Sequence, residues 1–210
     1  MSGRAVMTEP KRTGRRRTTV GGRTVPERLV DAATTLFAER GFESTSVQDI
    51  VETAGVTKGA MYHYFASKDD LLHEIYARIL RLQMQRLERF AAGDEPIADR
   101  VHAAAADVVA TTIENLPDVS IFFRSLHQLG EDKLREVRRE RRRYHERFRS
   151  MIEEGQRDGA FRSDVAPDLA VDFFFGSVHH LPTWYRAGGR LSARQVGRTF
   201  ADLLLSGLRP

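Results

Sequence analysis

Two short stretches decide the fold: Gly41-Phe42-Glu43-Ser44-Thr45-Ser46-Val47-Gln48-Asp49-Ile50 and Ala54-Gly55-Val56-Thr57-Lys58-Gly59-Ala60-Met61-Tyr62-His63-Tyr64-Phe65, followed closely by Ser67-Lys68-Asp69-Asp70-Leu71-Leu72. Ser46 with Asp49 forms a capping box, in which a hydroxyl and an acidic side chain three residues on satisfy the free N–H groups of a helix start. The helix it opens turns Val47, Ile50, Val51 and Ala54 inward, and Gly55 breaks it. Thr57 can cap a third helix from Lys58 to Tyr64. Ser67 with Asp70 repeats the signal and begins a long helix through Leu71, Leu72, Ile75, Ile79 and Leu82 to about Phe90. Upstream, Thr24-Val25-Pro26-Glu27 combines a capping Thr, a first-turn Pro and a Glu three residues on. Leu29, Ala33, Leu36 and Phe37 then share one apolar face, and Gly41 stops the helix.

Three short helices joined by tight turns, with Gly in the second turn, describe a helix-turn-helix. Its second helix is the one that enters a major groove. Beyond Gly93 the spacing predicts helices over 96–116, 118–129, 131–156, 167–186 and 192–207, with Pro117, Gly130, Gly159 and Gly188-Gly189 between them. Pro182 should bend or interrupt the fourth of these, and Ser192 with Gln195 caps the last. No alternating β-branched run and no internal repeat appears. The expected class is all-α, organised as a basic arm (1–23), a helix-turn-helix unit (24–66) and a helical bundle (67–210).

Composition narrows the class further. The 210 residues contain no cysteine, which excludes a disulfide framework, a thiolate metal site and a cysteine nucleophile. No apolar run reaches the roughly 18–20 residues of a membrane span, and residues 1–25 lack the apolar core of a secretory signal. A soluble cytoplasmic protein is expected. Residues 1–25 hold seven basic side chains (Arg4, Lys11, Arg12, Arg15, Arg16, Arg17, Arg23) against one acid, Glu9. With almost nothing apolar, this arm should be disordered. It reads either as a mobile phosphate-seeking arm or as a solvated tail.

The quoted stretches resemble the TetR family of transcriptional regulators, over about 48 residues from Leu29 to Tyr76. The resemblance implies a homodimeric, all-α, bacterial, nucleoid-associated DNA-binding protein. Repression is the family default, and a small molecule bound by the C-terminal domain usually releases double-stranded operator DNA. The residues suit these roles. Ser46 and Thr57 stand at helix N-termini, which favour a phosphate. Lys58, Gly59 and Ala60 open the recognition helix with one donor and two small residues that allow close approach to base edges. Tyr62 by resemblance contacts the backbone, successive His63 is a second candidate for the outward face, and Lys68 should anchor a flanking phosphate. Met61 and Phe65 belong to the core. Residues 26–72 hold four basic and eight acidic side chains, so binding must depend on few well-placed donors, on two copies, and on the arm.

An effector site in such a bundle should be an apolar cavity with a few polar groups. Met84, Val108, Thr112, Phe122, Phe123, Phe148, Met151, Phe175, His179 and Trp184 are the candidates, and the aromatic density over 122–185 allows a roomy site or simply a packed core. His179 to Leu208 resembles a TetR branch that includes regulators of fatty-acid and steroid catabolism, several of which respond to acyl-CoA thioesters. Arg138, Arg139, Arg141, Arg142, Arg143, Arg147 and Arg149 crowd one helix. They can grip the phosphates of a CoA group or make a solvated face of i,i+4 pairs with Glu136, Glu140 and Glu146. Phe173, Gly176, Ser177, Val196, Phe200, Leu203 and Leu204 supply the apolar surface for a two-fold dimer. That dimer would set two recognition helices roughly 34–36 Å apart on a pseudo-palindrome.

An enzyme is the rival of a different class. The sequence shows no phosphate-cradling Gly loop, no Gly-x-Ser-x-Gly elbow and no His-Glu-x-x-His pair. The seven histidines show no i,i+4 chelating spacing, so neither a metal nor another cofactor is expected. A second rival is a ligand-independent DNA-binding or scaffolding protein with a fully packed C-terminal core. The use of 29 Arg against 4 Lys points to a GC-rich genome.

Overall fold

The computed structural model describes residues 19, 20 and 22–210, with side chains from 22 onward. Its helices are α1 (Val25–Arg40), α2 (Val47–Ala54), α3 (Lys58–Tyr64), α4 (Lys68–Ala91), α5 (Ile97–Glu114), α6 (Leu116–Ser125), α7 (Glu131–Arg157), α8 (Pro167–His179), α9 (Leu181–Trp184) and α10 (Ala193–Leu208). The expected capping boxes at Thr24, Ser46, Ser67 and Ser192 are all formed, and Thr57 accepts from Ala60 N at 3.1 Å. The segment expected as 167–186 is two helices. Pro182 lies in the first turn of α9, where its missing N–H costs nothing, and the chain breaks at His180. A 3-10 turn over Leu126–Gln128 ends α6 earlier than expected.

The arm is partly a correction. Most of residues 1–23 lie outside the described residues, but Thr19–Val20 pairs antiparallel with Arg23–Thr24 in a two-residue ladder. Thr19 and Val20 are therefore folded against Arg23 and Thr24, and Arg23 meets Asp31 of α1 at 2.6 Å.

Helices α1, α2 and α3 form the N-terminal unit. Gly55 adopts the left-handed conformation (φ 62°) that the turn between α2 and α3 requires. Arg28 of α1 closes that turn by donating to Ala54 O and Gly55 O. Met61 is fully buried against the same core as Leu36, Phe37 and Ile50, with Phe65 packed on it. Helix α4 leaves this unit and packs on α5, α6 and α7, so one apolar cluster runs from Leu29 to Leu208. Helices α5 and α10 pack along one another at short range. A Cβ on Gly197 would stand 2.5 Å from Ala106 O, so glycine is what allows the two backbones to approach.

Candidate DNA face and effector cavity

The α3 face carries the residues expected to meet DNA. Thr57, Lys58, Gly59, Tyr62 and His63 are exposed and Ala60 is half-buried. Tyr62 is 55% exposed although its neighbour Met61 is fully buried, so the ring is held out by a packed helix. Exposed Tyr64 stands beside His63, with ring centroids 4.8 Å apart, and the sequence reading passed over it.

Two expected phosphate contacts are engaged elsewhere. Lys68 points inward: its ammonium donates to Phe42 O at 2.6 Å and Thr45 O at 2.9 Å, and lies 4.3 Å over the Phe42 ring. It ties the α1–α2 loop to the start of α4. The sequence placed Lys68 at a helix start but could not show carbonyls of a distant loop converging on it. Ser46 donates its hydroxyl proton to Asp49 at 2.6 Å. Those hydrogen bonds from Ser46 hold the Asp49 carboxyl below its ordinary range, so a carboxylate already occupies the α2 N-terminus. The first turn of α3 carries no acid.

The effector candidates divide. Val108, Thr112, Phe123, Phe175 and His179 line one cavity between α4, α5, α6, α7 and α8. Phe122, Phe148 and Met151 are fully buried packing residues outside it. Phe122 stacks on Tyr76 at 4.0 Å. Met84 lines a separate shallow pocket with Arg143, and Trp184 is 44% exposed, stacked on Phe200. The cavity also takes Tyr76, Gln83, Arg141, Tyr144 and His145, whose inward direction only helix packing sets. Its volume is about 30 Å³, room for roughly two waters. The roomy site allowed by the aromatic count is thus filled by its own walls.

Polar groups concentrate on two sides of this cavity. Gln83 Nε2 donates to Thr112 Oγ1 at 3.1 Å and Val108 O at 3.3 Å, a satisfied buried network on α4 and α5. Opposite, Arg141 Nη2 lies 3.2 Å from each ring nitrogen of His179. His145 stacks on Phe175 at 4.1 Å. Burial, reinforced by the Arg141 charge, lowers His145 to about 4 and His179 to about 3. Both rings are neutral near pH 7. Outside them, Arg138, Arg139, Arg141, Arg142 and His145 line a surface groove of about 480 Å³. Arg141 and His145 line both spaces.

The expected dimer residues also divide. Phe173 and Leu203 are 70% and 65% exposed, Gly176 is exposed, and Ser177 and Phe200 are half-buried. Val196 and Leu204, in contrast, are buried in the chain's own core. The sequence marked all of these as spare apolar surface, and only tertiary packing reveals which of them the chain already uses. Leu169 and Leu191 are also exposed, at 67% and 52%.

A helix-turn-helix unit joined by one long helix to an all-α bundle defines a helical transcriptional regulator. Residues 29–75 match the profile of bacterial regulatory proteins of the tetR family, and residues 94–208 match the tetracyclin repressor-like C-terminal domain. The chain belongs to the TetR family. It is 30% identical over 197 residues to the HTH-type transcriptional repressor KstR2 of Mycolicibacterium smegmatis, covering 87% of this chain and 89% of the relative. The structure of the ketosteroid transcriptional regulator KstR2 of Mycobacterium tuberculosis superposes with a TM-score of 0.76 at 25% identity, covering 91% of this chain and 97% of that one. AibR, solved with isovaleryl coenzyme A and operator DNA, shares the fold with a TM-score of 0.71 at 22% identity, covering 89% and 98%. The similarity to KstR2 agrees with the catabolic branch expected from residues 179–208. These relatives are regulators rather than enzymes, and no described helix is long and apolar enough to cross a membrane.

Proposed function

We propose that this regulator is a repressor that binds a pseudo-palindromic operator as a homodimer and is released by an acyl-CoA thioester. In this reading residues 24–66 read DNA, and residues 67–210 bind the effector and dimerise. The observation that carries it is the sharing of Arg141 and His145 between an apolar cavity and an arginine-lined groove. An acyl-CoA has the same division: an apolar chain for the cavity and phosphates for the guanidinium groups. AibR supports the reading at the level of the fold alone.

The small cavity sets the mechanism. An acyl chain needs several times the 30 Å³ present, so binding must open the contacts among Phe123, Phe175 and His179. A ligand that binds only the opened bundle shifts the population toward it. Helix α4 forms one wall through Tyr76, Ile79, Leu80 and Gln83, and it starts at the DNA unit. Arg78 on α4 bridges Asp31 of α1 and Asp118 of α6, a direct link along which such a shift passes. The exposed surface around Phe173, Gly176 and Leu203 supplies the dimer contact.

Fluorescence anisotropy with DNA from the protein's own promoter region tests this, titrating acyl-CoAs and the matching free acids. Release by the thioester but not the acid supports the proposal. Specific binding that no ligand disturbs overturns the effector and leaves a regulator with a permanently packed core.

A further inference from the structure

A second cluster lies beside the proposed effector cavity, one helical turn along α4 from its wall residue Tyr76. His73 of α4 faces Glu136 and Glu140, one helical turn apart on α7, with His73 Nε2 at 4.0 Å and 3.7 Å from their Oε2 atoms. One ligand atom from each of the three residues lies within 4.8 Å of the others. His73 is 8% exposed, and among the described residues neither His73 Nε2 nor Glu140 Oε2, both buried, makes a hydrogen bond. Buried polar atoms without hydrogen bonds cost free energy, and here two of them face each other at 3.7 Å.

We propose that His73, Glu136 and Glu140 form a binding site for a divalent first-row transition metal ion, of which Zn²⁺ is the type case. One imidazole and two carboxylates suit such an ion better than Ca²⁺ or Mg²⁺, which take all-oxygen sets. Ligand atoms around tetrahedral Zn²⁺ lie about 3.4 Å apart given bond lengths near 2.1 Å. The observed 3.7 Å and 4.0 Å separations need to close by only a few tenths of an ångström. The two glutamates are about one-third exposed, so the ion has a path from solvent. Three protein ligands leave a position for water.

Lys133 is the built-in competitor. Its ammonium lies 3.3 Å from Glu136 Oε2 and 3.0 Å from Asp70 Oδ1. A metal on Glu136 displaces it toward Asp70, which keeps it paired. Because His73 lies in the second turn of α4 and both glutamates lie on α7, the ion clamps the DNA-proximal end of α4 to the helix that carries the arginines.

The experiment uses the full chain, stripped with EDTA, and titrates ZnCl2 by calorimetry at neutral pH, with Co²⁺ absorption reporting the ligand field. One ion per chain is expected, with a thermal midpoint raised by roughly 5–10 °C at a hundredfold excess over Kd. Glu140→Gln and His73→Asn should each weaken binding at least about tenfold, while Lys133→Ala should tighten it. Glu140→Gln changes a part-exposed side chain, so it reads the site even where His73→Asn folds poorly. Absence of a stoichiometric site overturns the proposal. So does binding that survives both ligand variants, which places the ion elsewhere, as at His145 and His179.

Discussion

Arg141 Nη2 stands 3.2 Å from both ring nitrogens of His179, and its guanidinium lies 5.6 Å from the Phe123 ring. One side chain therefore closes the apolar cavity and contributes to the arginine groove. A neutral imidazole accepts from the guanidinium, and burial beside a fixed positive charge keeps it neutral. The pair stands between the small apolar cavity and the arginine-lined groove.

Arg141→Ala should weaken acyl-CoA binding about ten- to hundredfold, the range of a lost charge-assisted hydrogen bond, and leave operator affinity within about twofold. Arg141→Lys should restore little, because an ammonium lacks the planar fork. Anisotropy titrations of the thioester against the preformed DNA complex measure both.

Acidification should destabilise the bundle through His145 and His179. Their folded values, about 4 and 3, lie below the ordinary 6.5. Between those limits the unfolded chain binds more protons, so stability falls as pH drops from about 6.5 toward 4. The groups facing them are Arg141, which disfavours protonation, and Asp172, which favours it at His145. Thermal melts of wild type and His179→Gln between pH 7 and pH 5 check this. The variant's midpoint should fall less steeply.

Tyr62→Ala and Lys68→Ala should separate contact from support. Tyr62 is 55% exposed and outside the buried core, so its loss should lower operator affinity with the midpoint changed by no more than about 2 °C. Lys68 holds the Phe42 and Thr45 carbonyls. Removing it should cost about 2 kcal/mol and weaken DNA binding through the displaced loop. Paired melting and anisotropy measurements on each variant decide; a Lys68→Ala protein of unchanged stability that binds DNA poorly would return the residue to the phosphate contact.

Arg78→Ala should uncouple the two ends of the molecule. It leaves Asp118, 8% exposed, without its partner, at a cost of about 2 kcal/mol given that Arg78 is itself one-third exposed. Operator binding should persist, and the effector concentration needed for release should rise several-fold. A dose–response of release against acyl-CoA measures this coupling.

Local signals made the DNA unit legible. Capping boxes at Ser46 and Ser67 and the breaker Gly55 act over a few residues, and each formed where its spacing put it. Legibility fell where direction depends on a distant partner. Val108, Thr112 and His179 were placed on the cavity wall, yet Phe148 and Met151, equally apolar and equally periodic, are packed outside it. Tyr76, Tyr144 and His145 were missed because nothing within their own helices marks one buried stripe as wall and another as filling.

The sequence by itself determined the capped helix starts at Thr24, Ser46, Thr57, Ser67 and Ser192, the breaks at Gly41 and Gly55, the all-α class and the family, because caps, breakers and amphipathic period are properties of neighbouring residues. Tertiary structure alone decided the occupancy of each side chain. It turned Lys68 into a loop clamp and left only about 30 Å³ of cavity. It assigned one face of α10 to α5 and brought His73 against Glu136 and Glu140. Those outcomes depend on contacts between residues tens of positions apart, which only packing of the helices against one another can select.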